Sequence, residues 1–249
     1  MLDAQLAAAA DRSPEPWGAR IALYPLAAAA AVIVLTAALA MVWPGGGISR
    51  TVAGVLLSFA CYGVLLATIL RTAGPVARRS GGWPATFGWD WPRWRDLVPV
   101  VPALIAINLV RAAVLAAVLA VVPSWNPDEA SNVRLDGRPI GVVLAVAVLA
   151  VLVAPPIEEL LFRGVLLRTL ARRSGFWPAA LLSSVLFGLF HVHQAPSLGG
   201  AVLLGVAITV FGAGLAVLVR LTGRLAPAIA VHSLSNLIAV VLSASGALS

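Results

Sequence analysis

The chain reads as an all-α, polytopic membrane bundle of about seven transmembrane helices, and three observations carry that expectation. Of its 249 residues 61% are hydrophobic and 11% charged. The mean hydropathy is +0.98. Apolar runs of membrane length recur from end to end, with no long polar stretch in which a second, water-exposed core would form. A spanning helix needs about 20 predominantly apolar residues. Seven stretches qualify: 21–43, 51–71, 97–122, 140–170, 177–194, 198–220 and 225–247. A soluble enzyme domain is excluded, and residues 1–249 form one integral membrane domain.

The elements follow in order. Residues 1–20 hold Asp3, Asp11, Arg12, Glu15 and Arg20 with two prolines, a polar cytoplasmic tail. The span behind it is too long for the apolar region of a signal peptide, so it reads as an uncleaved anchor. Pro44 and the glycines to Gly47 turn the chain between the first and second spans. Segment 72–96 interleaves Trp83, Trp89, Trp91 and Trp94 with Arg78, Arg79, Arg93 and Arg95, a mixture suited to the headgroup layer. The connection 123–139 contains Asn126-Pro127-Asp128-Glu129 and Asp136-Gly137-Arg138-Pro139, the turn chemistry of an aqueous loop. The remaining spans, 140–247, hold the polar residues discussed below and form the expected catalytic core.

Charge sets orientation and excludes one class of partner. Every basic residue is Arg, and the formal net charge is +7. Dispersed between apolar runs, these arginines suit anionic lipid rather than nucleic acid. Twelve fall on the side of the N-terminal tail and three on the other. Positive charge is retained in the cytoplasm, which predicts a cytoplasmic N-terminus and an outside C-terminus. The Arg- and Ala-rich composition suggests a GC-rich bacterial genome, hence a bacterial plasma membrane. The single Cys61 permits no internal disulfide.

Two arginines, Arg111 and Arg163, remain inside spans. An ionisable group in hydrocarbon costs about 2.5–3.5 kcal/mol on insertion scales, so such groups are functional candidates. Span four carries Glu158, Glu159 and Arg163; span five His191 and His193; span seven His232 and Asn236; span three Asn108 and Arg111. Glu159 and Arg163 are four residues apart and share a helix face, predicting an intrahelical ion pair. Glu158 lacks that cation and should find a partner on another helix, the preparation a general base needs. Pro155 and Pro156 should kink or restart the helix there, freeing backbone groups that need protein or water nearby. Phe187 and His191 share one face, as do His232 and Asn236, whereas His193 turns away from His191 by about 200°. The bland readings are helix glue for Glu159–Arg163, packing or interfacial placement for His193, and interhelical glue or snorkelling for Asn108 and Arg111.

Three patterns resemble a family, the CPBP intramembrane proteases, which include the CAAX prenyl endopeptidases and bacterial (Abi) relatives tied to bacteriocin processing and immunity. They are Glu158-Glu159-x-x-x-Arg163, Phe187-x-x-x-His191 and His232-x-x-x-Asn236, in order and each on its own span. The resemblance covers residues 155–240. It implies a glutamate-dependent endopeptidase in which Glu158 and His191 activate a water while His232 and Asn236 stabilise the oxyanion. Glu159, Arg163 and Phe187 would support the site. The substrate would be a membrane-associated protein or peptide, and the bilayer is the other partner. No cofactor is required in this reading. Were zinc bound, Glu158, His191 and His232 would be its ligands, although no HExxH motif is present and Asn is a poor zinc ligand. A serine protease of rhomboid type would need a Gly-x-Ser-Gly motif, and an aspartyl type a pair of intramembrane aspartates; neither is found. The alternatives are a non-proteolytic immunity or scaffold protein of the same fold, haem held between His191 and His232, and an ion-coupled transporter. The last predicts inverted repeats, and none is visible.

Overall fold

The computed structural model describes residues 1–4, 18–42, 47–130, 135 and 137–246. Among them all regular structure is helical. The principal helices are α1 (Arg20–Val42), α2 (Gly47–Arg79), the short α3 (Gly82–Phe87), α4 (Val100–Val121), the composite α5 (Ile140–Ser174), α6 (Phe176–Leu189), α7 (Leu198–Thr222) and α8 (Ala226–Ala244). Six helical segments among the described residues are long and apolar enough to cross a bilayer. The first expected span forms α1, of which Arg20–Thr36 counts as a shorter apolar segment. The turn expected at Pro44–Gly47 lies almost wholly outside the described residues.

The long helices leave many large apolar side chains exposed, among them Leu109, Leu152 and Leu181. This is what a bundle whose solvent is lipid rather than water requires. Its interior is apolar as well, built around Ile69, Phe87, Leu161, Val165, Leu215 and Val231. Small residues bring α6 and α7 together. A Cβ on Gly188 would stand 2.5 Å from the Gly205 carbonyl oxygen and 2.3 Å from Thr209 Oγ1, so this crossing tolerates no side chain.

The second and third spans are joined differently from the sequence-based expectation. Segment 72–96 begins as helix, because α2 runs on to Arg79 through Pro75. Of its four tryptophans, Trp91 and Trp94 are exposed at 87% and 72%, as an interfacial anchor would be. Trp83 and Trp89 instead pack against the core, Trp83 with its ring centroid 5.3 Å from that of Phe87. Apolar contact to the bundle outweighs headgroup contact for these two.

Helix α5 is irregular where the polar residues sit. It passes through π-helical turns at Val148–Val153 and Leu160–Leu166, separated by an α-helical stretch, Ala154–Glu159. Such turns are uncommon and tend to accompany functional sites. The cause here is local. Pro155 and Pro156 have no N–H to donate to the preceding turn. The Ala154 N–H reaches back five residues to the Leu149 carbonyl. In that register the Ala150 carbonyl would look to residue 155, which is proline. A side chain from α8 takes the vacant place: Asn236 Nδ2 donates to the Ala150 oxygen at 2.7 Å.

Candidate active site

Five helices, α2, α4, α5, α6 and α8, bring intramembrane polar residues around one cavity of about 820 Å³. Glu158 and Glu159 come from the middle of α5, which carries both carboxylates into the protein interior, where they are buried. The Glu159–Arg163 pair forms as expected, Arg163 Nη1 to Glu159 Oε1 at 3.0 Å, with both side chains inaccessible to solvent. The guanidinium also stacks on Phe187, its Cζ 4.3 Å from the ring centroid. A carboxylate and an aromatic face thus offset its desolvation.

Glu158 has no cation on its own helix within ion-pair distance and is held from two others. Tyr62 of α2 donates its hydroxyl to Glu158 Oε1. His232 of α8 places Nε2 3.7 Å from Glu158 Oε2. His232 is itself fixed on the other edge of its ring, Nδ1 donating to Glu159 Oε1 at 3.0 Å. Glu159 therefore serves two partners, Arg163 along its helix and His232 across the bundle. Helical spacing predicts the first, and the second depends on where α8 packs.

His191 stands just past the end of α6, in the turn before a 3₁₀ segment, Val192–Gln194. Helix α6 has 14 residues, about 21 Å at 1.5 Å per residue. The turn and the 3₁₀ residues that follow carry the apolar segment on to Gln194, 19 residues in all, and leave His191 lining the cavity. Its Nδ1 lies 2.8 Å from the Phe187 carbonyl oxygen. A carbonyl accepts, so Nδ1 carries the hydrogen, and Nε2 of the neutral ring is left with a lone pair. The Phe187 ring packs edge-on against both His191 and His232, at centroid distances of 4.8 and 5.8 Å. His193 is exposed and not among the cavity-lining residues.

Asn236 lines the same cavity, one of its amide hydrogens committed to Ala150. Asn108 and Arg111 of α4 line it too. Tyr62 is the residue that sequence reading passed over; its one signal was a phenolic hydroxyl in an otherwise apolar stretch. Among the described residues no three His, Cys, Asp or Glu side chains group as a metal-ion site.

The stretch that builds this cavity wall is also the one that matches a known family. Residues 140–238 match the family model described as type II CAAX prenyl endopeptidase Rce1-like. The match covers 99 of the 249 residues and is a likeness of this segment to the Rce1-like proteases. It runs from the first residue of α5 to the middle of α8 and contains all three paired motifs, Glu158 to Arg163, Phe187 to His191 and His232 to Asn236. Tyr62, Asn108 and Arg111 lie before the Rce1-like segment, on helices that close the cavity around it. No curated protein and no solved structure matches the chain.

Proposed function

We propose that the chain is an intramembrane endopeptidase that hydrolyses a peptide bond of a membrane-associated protein or peptide with a water activated by Glu158. The observation that carries this reading is the Glu158 carboxylate itself. One of its oxygens is held by Tyr62 and the other faces the cavity beside His232. A water between Glu158 Oε2 and the lone pair of His191 Nε2 loses a proton to the carboxylate as its oxygen attacks the scissile carbonyl. His191 accepts a hydrogen bond from that water and orients it.

The tetrahedral oxyanion requires donors. Asn236 keeps its second amide hydrogen for this, its first being anchored on Ala150. His232 supplies another from Nε2 when both ring nitrogens are protonated. Collapse of the intermediate breaks the C–N bond, and the departing amine takes the proton stored on Glu158. No step needs a metal, and Glu159, Arg163 and Phe187 keep His232 and His191 in register.

The arginine asymmetry orients this chemistry in a bacterial plasma membrane, N-terminus in the cytoplasm and C-terminus outside. The cavity is lined at one end by Pro127, Asp128 and Arg138, in the connection that the same asymmetry places outside. A substrate would meet the site from that face or laterally from the bilayer.

Membranes from cells expressing the wild-type chain or Glu158→Ala, compared by mass spectrometry of newly formed peptide termini, test the reading. Termini produced by the wild type should fall by about 10³-fold in the variant, the middle of the range of general-base contributions, at equal protein abundance. An identical set of termini would remove Glu158 as the base and leave the non-proteolytic scaffold as the better description.

A further inference from the structure

The cavity contains a charge that this chemistry does not use. Arg111 is the twelfth of the 22 residues of α4. At 1.5 Å per residue, about 15 Å of helix separates it from either end, which sets it near the middle of α4. Its Nη2 donates to Asn108 Oδ1 at 2.6 Å, and Asn108 Nδ2 is spent on the Leu104 carbonyl at 2.8 Å. Asn108 is thereby fixed as an acceptor and fixes the guanidinium in turn. No described carboxylate forms an ion pair with Arg111, whereas Arg93, Arg163, Arg220 and Arg224 each have one. Glu158, which lines the same cavity, is engaged by Tyr62 and His232.

A guanidinium presents five N–H donors in a planar fork that matches a carboxylate in two-point contact. One bond to Asn108 leaves most of that fork for an occupant of the cavity. We propose that Arg111, held by Asn108, binds a carboxylate of the peptide substrate, either its C-terminus or an Asp or Glu side chain near the scissile bond. The proposal rests on the endopeptidase reading for the kind of occupant, and its test is read by binding so that the two fail separately.

The probe is an apolar hexapeptide of Ala, Leu and Val with a fluorophore on its N-terminus. It is made as the free acid, as the C-terminal amide, and as the amide with one internal Glu. Anisotropy is measured with the full chain in lipid nanodiscs. The wild type should bind the free acid or the Glu-containing amide about tenfold more tightly than the plain amide, as expected for a hydrogen-bonded ion pair. Preference for the acid alone identifies the C-terminus, and recovery by the internal Glu identifies a side chain. Arg111→Gln should bind all three at the affinity of the plain amide, and Arg111→Lys should restore part of the preference, which a merely structural arginine would not show. Equal binding of the three probes by the wild type, binding of none, or a preference that survives Arg111→Gln overturns the proposal. Loss of cleavage in Glu158→Ala bears on the endopeptidase reading, whereas the ranking of the three probes by the wild type and by Arg111→Gln bears on Arg111 alone.

Discussion

At the scale of single residues the site is a set of side chains each held by a second contact. His191 is held by the Phe187 carbonyl, His232 by Glu159, Asn236 by Ala150 and Glu158 by Tyr62. Charges and imidazoles inside apolar spans are few, which is why Glu158, Glu159, Arg163, His191, His232 and Asn236 were legible from the chain alone. Tyr62 was not. A phenol is mostly apolar surface with one polar tip, and nothing in its neighbours on α2 announces the carboxylate opposite. Tyr62→Phe removes one hydrogen bond to a charged group and leaves the ring in place. Cleavage should slow by about tenfold or more, the worth of such a bond, with little change in the thermal unfolding midpoint. An unchanged rate would reduce Tyr62 to a packing residue.

At the scale of elements the decisive features are the irregular α5 and the short α6. Two prolines in α5 remove two N–H donors from the helix, and π-helical turns flank the glutamates on both sides. The expectation of a kink at Pro155 and Pro156 anticipated the disturbance. It did not anticipate that a side chain three helices further along would satisfy the Ala150 carbonyl, since that depends on where α8 lies. Helix α6 places His191 through its length and through its contact with α7. Gly188 precedes His191 by three residues, and its carbonyl accepts the His191 N–H at 2.9 Å. Gly188→Ala puts a methyl group against the α7 backbone at 2.5 Å. The helices must part, at a cost of about 1–3 kcal/mol, and His191 moves with them. A thermal midpoint lowered by several degrees together with lost activity is the expected result. A variant with wild-type stability would show that α6 and α7 have room to give.

At the scale of the whole molecule the bundle is tied together by an ion-pair cluster beside the interfacial segment. Arg224, between α7 and α8, donates to Asp90 Oδ2 and Asp96 Oδ1, each at 2.8 Å, and to the Trp91 carbonyl at 2.8 Å. The Leu225 N–H adds a bond to the Gly88 carbonyl at 3.0 Å. The hydrogen bond from Arg224, with a second from the Trp91 N–H, holds the Asp90 carboxyl below the ordinary carboxylate value. Its folded-state value is the lower one, so the contribution is present above the ordinary carboxylate range and is lost as pH falls through the depressed value. Thermal stability in detergent should therefore decline more steeply below about pH 4 for the wild type than for Arg224→Gln, which has already lost the clamp. Parallel curves would show that the cluster adds nothing to stability. Composition and spacing determined that this is a helical membrane bundle, which residues carry charge inside it, and that Glu159 pairs with Arg163, because these follow from hydropathy and helical periodicity within one segment. The tertiary structure decided which helices meet, and with that the partners of Glu158, the double engagement of Glu159, the use of Asn236 on a proline-vacated carbonyl and the presence of Arg111 in the cavity. Contacts between distant helices depend on packing, and helical periodicity constrains only neighbours along one helix.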